Sequence, residues 1–124
     1  MKEELISNKA PGAIGPYSQG VVAGNIIFVS GQLPIDAATG MMADNIKEQT
    51  YQSLSNIAAI LESSGATMDN VVKSTVFLAD MSLFAEMNEV YAKFFKPPFP
   101  ARAAFAVKEL PKKALVEIEV VAIK

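Results

Sequence analysis

An α+β fold of about six strands and two helices, in the order β-β-β-α-β-α-β-β, is what the 124-residue sequence predicts. Three observations carry that expectation. Two stretches place apolar residues at three- and four-residue spacing, the mark of helices with one buried face. Short β-branched runs bounded by Gly, Pro and Asn precede, separate and follow them. Pro97, Pro98 and Pro100 forbid a helix leading into the last quarter of the chain, which must be extended. Two helices cover only one face of such a sheet, so its other apolar face needs a partner, most simply further copies of the same chain in a cyclic assembly.

Leu5 and Ile6 make a short first strand, followed by the loop Lys9-Ala10-Pro11-Gly12-Ala13-Ile14-Gly15-Pro16. Gly15-Pro16 is a stiff entry that holds Tyr17 in one place, either as a tyrosine packed at a strand end or as part of a site. Gln19 to Ala23 and Ile26 to Ser30 are apolar segments joined by Gly24-Asn25, a hairpin connection. Gly31 follows Ser30 at the end of the second segment, where a glycine marks a bulge or lets a ligand approach the backbone. The first helix runs from about Asp44, a capping residue, to Ser63, with Ile46, Thr50, Leu54, Ile57, Ala58 and Leu61 on its buried face and Gly65 suited to its end. Val72 to Ala79 is a strand able to lie parallel to an earlier one through that helical crossover. The second helix, about Ser82 to Phe95, buries Leu83, Met87, Val90, Tyr91 and Phe94 and stops at Pro97-Pro98. Asn88 reads as an ordinary polar helix residue and Phe84 as core or interface.

The end of the chain carries most of the chemical information. Ala101 to Glu109 and Ala114 to Ile123 read as a strand hairpin connected through Leu110 to Lys113. Val116, Ile118, Val120 and Ala122 form a wholly apolar face of the last strand. With Glu109 opposite Ala114, Arg102, Ala104 and Ala106 share the other face with Glu117, Glu119 and Val121. That arrangement suits a structural ion pair. It equally suits a small pocket in which Arg102 grips a carboxylate ligand through a two-pronged hydrogen bond.

Composition narrows the chemistry. One domain spanning 1–124 fits this length, and 51% hydrophobic with 19% charged residues supports a packed core. With no Cys and no His, thiol nucleophiles, disulfides, histidine triads and the usual zinc sites are excluded. Neither a metal nor a cofactor is expected. A net charge of −2 without a Lys/Arg run argues against a nucleic-acid partner. The charged start, Met1 to Glu4, with no secretory core or membrane-length apolar run after it, leads to the expectation of a cytoplasmic protein without membrane association.

Six segments in order, APGAIGPYSQG from Ala10, VSGQLP from Val29, TVFLADM from Thr75, NEVYAKFF from Asn88, FPARAAFAV from Phe99 and EIEVVAI from Glu117, together resemble the reactive-intermediate deaminases, also called Rid or YjgF-type proteins. The resemblance spans almost the whole chain. It implies a chorismate-mutase-like α+β fold assembled as a homotrimer, with clefts between neighbouring subunits, and hydrolytic deamination of 2-enamino and 2-imino acids to 2-oxo acids and ammonia. By similarity Arg102 holds the substrate carboxylate, helped by backbone N–H groups near Ala104 and Gly31, and Glu117 positions or activates water. Tyr17, Ser30, Asn88 and Phe84 match further positions of the family's cleft. Some members carry Cys where this chain has Ala104, so no thiol acts at that position here. Two other functions remain open at this level, a non-catalytic binder or sensor of small 2-oxo acids and the ribonuclease or translation-inhibitor activity associated with some relatives.

Overall fold

In the computed structural model, which describes residues 1–124, six strands form one mixed sheet and both helices lie on one side of it. The strands are β1 (Lys2–Leu5), β2 (Gly20–Ala23), β3 (Ile26–Gln32), β4 (Val71–Leu78), β5 (Ala101–Ala106) and β6 (Val116–Ile123); the helices are α1 (Ile46–Glu62) and α2 (Phe84–Tyr91). Their spatial order is β1-β2-β3-β6-β4-β5. All neighbours are antiparallel except β4 and β5, which are joined by α2 and run parallel.

The expected architecture is present, with local differences that have simple causes. Asn45, not Asp44, caps α1: its side chain accepts from the Glu48 backbone N–H at 2.9 Å in extended geometry. The α1 face contains more than the apolar stripe, because Gln49, Ser53 and Asn56 are also buried. Ser53 donates to the Gln32 carbonyl, Asn56 to those of Leu33 and Ile35, and Gln49 to that of Ala43 while accepting from Leu115 N–H. Here a buried polar face serves as a set of loop anchors, which hydrophobic periodicity does not register. The second helix is shorter than expected. A 3-10 turn at Met81–Leu83, capped by Asp80, precedes it, and tightened turns at Lys93 and Phe94 follow it.

The larger correction concerns the C-terminal hairpin, which does not form. β6 lies between β3 and β4 and pairs with both, so β4 separates β5 from β6. The crossover through α1 sets β3 and β4 in the same direction with a one-strand gap between them. The strand best suited to that gap is the one with a wholly apolar face, and Val116, Ile118, Val120 and Ala122 are all at most 2% exposed. Filling the gap makes two ladders where a hairpin would make one. The connection from Val107 to Leu115 is correspondingly long, with a 3-10 turn in which Lys112 and Lys113 adopt positive φ.

This topology also reverses the expected side-chain parity. Ser74 pairs with both Arg102 and Val120, whereas Phe77 pairs with Phe105 and Glu117, and Thr75 with Ala103 and Glu119. Laterally paired residues share a face. Arg102, Ala104 and Ala106 therefore point toward the helices with Val120, and Glu117 and Glu119 point to the helix-free side. The expected common face of Arg102 with both glutamates is overturned.

Ile118→Ala, at the centre of both ladders, is expected to cost about 2–5 kcal/mol, against about 1 kcal/mol for Asn45→Ala at the helix cap. Urea unfolding of both variants measures this; an Ile118→Ala loss no larger than the cap variant's would contradict the central placement of β6.

Candidate functional site

The predicted site residues fall into two groups on opposite faces of the sheet. Arg102 lies on edge strand β5 and faces α2. Its Nη1 donates to Asn88 Oδ1 at 2.7 Å, and its Cζ lies 4.7 Å from the Tyr91 ring centroid and 5.4 Å from that of Phe84. It is the only arginine in the sequence, and none of the three ion pairs in the chain involves it. The proposed structural ion pair with a glutamate is therefore absent, and one edge of a five-donor fork is committed to a neutral amide.

Ala104 follows on the same face, partly buried against the core. Val107 N–H donates to the Leu78 carbonyl at 2.9 Å. In a parallel ladder alternate residues turn their polar groups to the same neighbour, so Ala103 and Phe105 face β4. Arg102, Ala104 and Ala106 then present theirs along the free edge. A backbone donor near Ala104 is thus available beside the guanidinium.

The second group surrounds Glu117. Its carboxylate packs directly over Gly31, where a β-carbon would collide with Glu117 Oε2. Any larger residue at position 31 would displace the Glu117 carboxylate from this seat. The strand is also bulged there, since the β3–β6 register shifts between Val29 and Gln32. Glu117 is half-buried and has no hydrogen-bond partner in the chain; desolvation first, and then the negative charge of Glu119, push its pKa above the ordinary carboxylate value. Ser30 donates to the Ser18 carbonyl at 2.6 Å. Tyr17 is half exposed, its amide donating to the Gly15 carbonyl across Pro16, and Gly15 itself has a positive φ that favours glycine. Tyr17, Ser30, Gly31 and Glu117 line one groove of about 570 Å³, with Lys112 at its border. None of Arg102, Asn88, Phe84 or Ala104 borders it.

Two supporting residues escaped the sequence reading. Gln19, 4% exposed, accepts from Ser7 N–H and donates to the carbonyls of Ser7, Ala10 and Pro11, clamping the loop that delivers Tyr17. Tyr91, read only as an apolar stripe residue, lies against Arg102 with its hydroxyl 2.6 Å from that of buried Ser74. The only advance signal for Gln19 was a long amide beside a loop full of glycine and proline. No group of carboxylates in the chain has the arrangement of a metal site, and no helix is long and apolar enough to cross a membrane.

A one-sided mixed sheet with a lone arginine at its edge and a half-buried glutamate on its reverse defines a small α+β protein. A family model described as endoribonuclease L-PSP matches residues 7–124, and the chain belongs to this family, also known as YjgF or Rid. It is 48% identical, over 100% of its length and 91% of the relative's, to a human protein named 2-iminobutanoate/2-iminopropanoate deaminase. It superposes with a TM-score of 0.97 on a candidate endoribonuclease of Thermotoga maritima, 49% identical, covering 100% of this chain and 98% of that one. A crystal structure of E. coli TdcF with bound serine matches with a TM-score of 0.94 at 39% identity, covering 98% of each chain.

The Glu117 environment makes a prediction about stability. Because folding raises this pKa, the carboxyl imposes no penalty below the ordinary carboxylate range, where both states are protonated; the penalty grows as pH rises through the folded value. Glu117→Gln is therefore expected to be more stable than the parent at about pH 8, with the difference vanishing at about pH 4. Urea unfolding at the two pH values, at fixed protein concentration, tests this. A pH-independent difference would count against a desolvated Glu117.

Proposed function

We propose that the chain is a hydrolytic deaminase of small 2-imino acids and their enamine tautomers, 2-aminoacrylate and 2-aminocrotonate. The observation that carries this reading is the sole arginine, pinned by a neutral amide and two aromatic rings and unpaired with any carboxylate of its own chain. Such a guanidinium is preset for an incoming carboxylate. The human relative's name supports the reaction, and serine in the TdcF structure supports a ligand of amino-acid size.

The two half-sites complete one another only across copies. Within one chain the sheet separates Arg102 from Glu117, while the helix-free face exposes Phe28 and Phe105. In a cyclic homotrimer the Arg102 edge of one subunit meets the Glu117 groove of the next, through a heterologous contact that closes after three copies. Arg102 and the Ala104 backbone then orient the substrate carboxylate beside Asn88 and Phe84. Tyr17, Ser30 and Gly31 shape the facing wall.

Orientation and a placed water account for the chemistry. The protonated imine carbon is electrophilic. As water attacks it, Glu117 accepts a proton, giving a tetrahedral carbinolamine. Glu117 returns that proton to nitrogen, then takes the carbinol hydroxyl proton as the C–N bond breaks with its electron pair going to nitrogen; pyruvate or 2-oxobutanoate leaves with ammonia, which carries off the remaining proton as ammonium. Within one chain desolvation and Glu119 raise the Glu117 pKa, and the Arg102 charge of the next subunit acts in the opposite sense in the assembled cleft; a carboxyl held between these opposing influences suits both transfers. Pyridoxal-phosphate enzymes that dehydrate serine or threonine release these substrates, and a cytoplasmic location remains the reading taken from the charged start of the sequence.

The test is a coupled assay that generates 2-aminoacrylate in situ and follows its disappearance. Arg102→Ala is expected to lose about 2–5 kcal/mol of transition-state stabilisation, more than tenfold in kcat/KM, while its sedimentation stays that of a trimer. Glu117→Gln is expected to turn over slowly and still bind 2-oxobutanoate. Parent-level rates in Arg102→Ala would refute the clamp. Saturable 2-oxobutanoate binding by the parent without acceleration would favour a sensor. RNA cleavage that falls steeply with salt would favour the ribonuclease activity, against which the net charge of −2 stands.

A further inference from the structure

The aromatic ring under the guanidinium is itself anchored. Tyr91 is 5% exposed, packs at 4.6 Å on the Phe95 ring, and places its hydroxyl 2.6 Å from Ser74 Oγ. Ser74 is fully buried on β4 and is the lateral partner of Arg102 on β5. The adjacent strand, the helix and the guanidinium are thus joined by one chain of contacts, Ser74 to Tyr91 to Arg102 to Asn88. Burial, moderated by Ser74 and by the Arg102 charge, leaves the Tyr91 pKa above that of a free phenol. The ring beneath Arg102 is therefore neutral, and the positive charge stays available to a ligand.

We propose that Tyr91, held by Ser74, is a positioning residue for Arg102. Its ring supports the guanidinium while Asn88 sets the rotation, so that the fork is oriented before a carboxylate arrives. This inference rests on the reading of Arg102 as the carboxylate clamp, and it adds two residues that need not touch substrate. The energetic logic is preorganisation: a fork already ordered loses less side-chain freedom on binding.

Arg102 being the only arginine makes the test direct, because the guanidinium nitrogens give a single set of NMR signals. In the ligand-free parent, slow rotation and resolved Nη resonances are expected. Tyr91→Leu is expected to collapse them and to raise KM for the imine about tenfold with a smaller change in kcat; Tyr91→Phe and Ser74→Ala, which each keep the ring and lose only the hydroxyl contact, are expected to broaden them and to raise KM by a smaller factor, about threefold. Should Tyr91→Leu not fold, Ser74→Ala decides, with broadened Arg102 signals and a raised KM expected. Parent-like Arg102 signals and KM in a folded Tyr91→Leu, or in Ser74→Ala, would overturn the proposal. Failure of the clamp reading is distinguishable: Arg102→Ala would then bind 2-oxobutanoate like the parent, whatever the NMR spectra of the Tyr91 variants show.

Discussion

The insertion of β6 between β3 and β4 is the constraint on which the rest of the structure depends. It fills the gap left by the α1 crossover, and its apolar face forms the centre of the core with Ile57, Ile60 and Leu61 of α1. Because strand side chains alternate, burying Val116, Ile118 and Val120 obliges Glu117 and Glu119 to face the other way. Because β5 pairs through β4 in the register Ser74 to Arg102, the arginine is directed to the helices. A one-residue slip in either ladder would reverse one of these directions and expose core residues, so core packing enforces the placement of the site.

Keeping the two charges on opposite faces has an electrostatic consequence. A guanidinium beside Glu117 lowers the carboxyl's pKa, and in the proposed trimer that influence comes only from the neighbouring subunit. In the folded chain its neighbours are instead Glu119 and a desolvating groove, which raise it. Arg102, for its part, is surrounded by an amide and two aromatic rings, none of which neutralises it. Each half-site thus carries an unmet requirement, a charge without a counterion and a carboxyl short of hydrogen bonds. The proposed inter-subunit cleft satisfies both with one small, carboxylate-bearing substrate and a water.

Much of the polar structure serves to hold loops that carry site residues. Gln19 closes three carbonyls of the loop before Tyr17, and Ser53 with Asn56 fixes the segment after Gly31. Every buried side-chain polar atom has a partner, so these anchors are built in without orphaned groups. Rigidity in the walls of a groove favours placement of a reacting water over capture of a flexible partner.

Element types, the two amphipathic helices and the apolar face of the last strand were determined by sequence alone, because side-chain period and proline geometry act over a few residues. Arg102 was legible as a candidate from the residues themselves, whereas Glu117, Tyr17, Ser30 and Asn88 were singled out only by the resemblance to the reactive-intermediate deaminases. Which strand pairs with which was decided only in three dimensions: adjacency in the chain suggested a hairpin, whereas the α1 crossover left a central gap that β6 alone could fill with a fully apolar face. The roles of Gly31, Gln19 and Tyr91 likewise depended on tertiary contacts, since a glutamate seated on a glycine, an amide closing a distant loop and a ring supporting a guanidinium are separated in sequence by 8 to 86 positions.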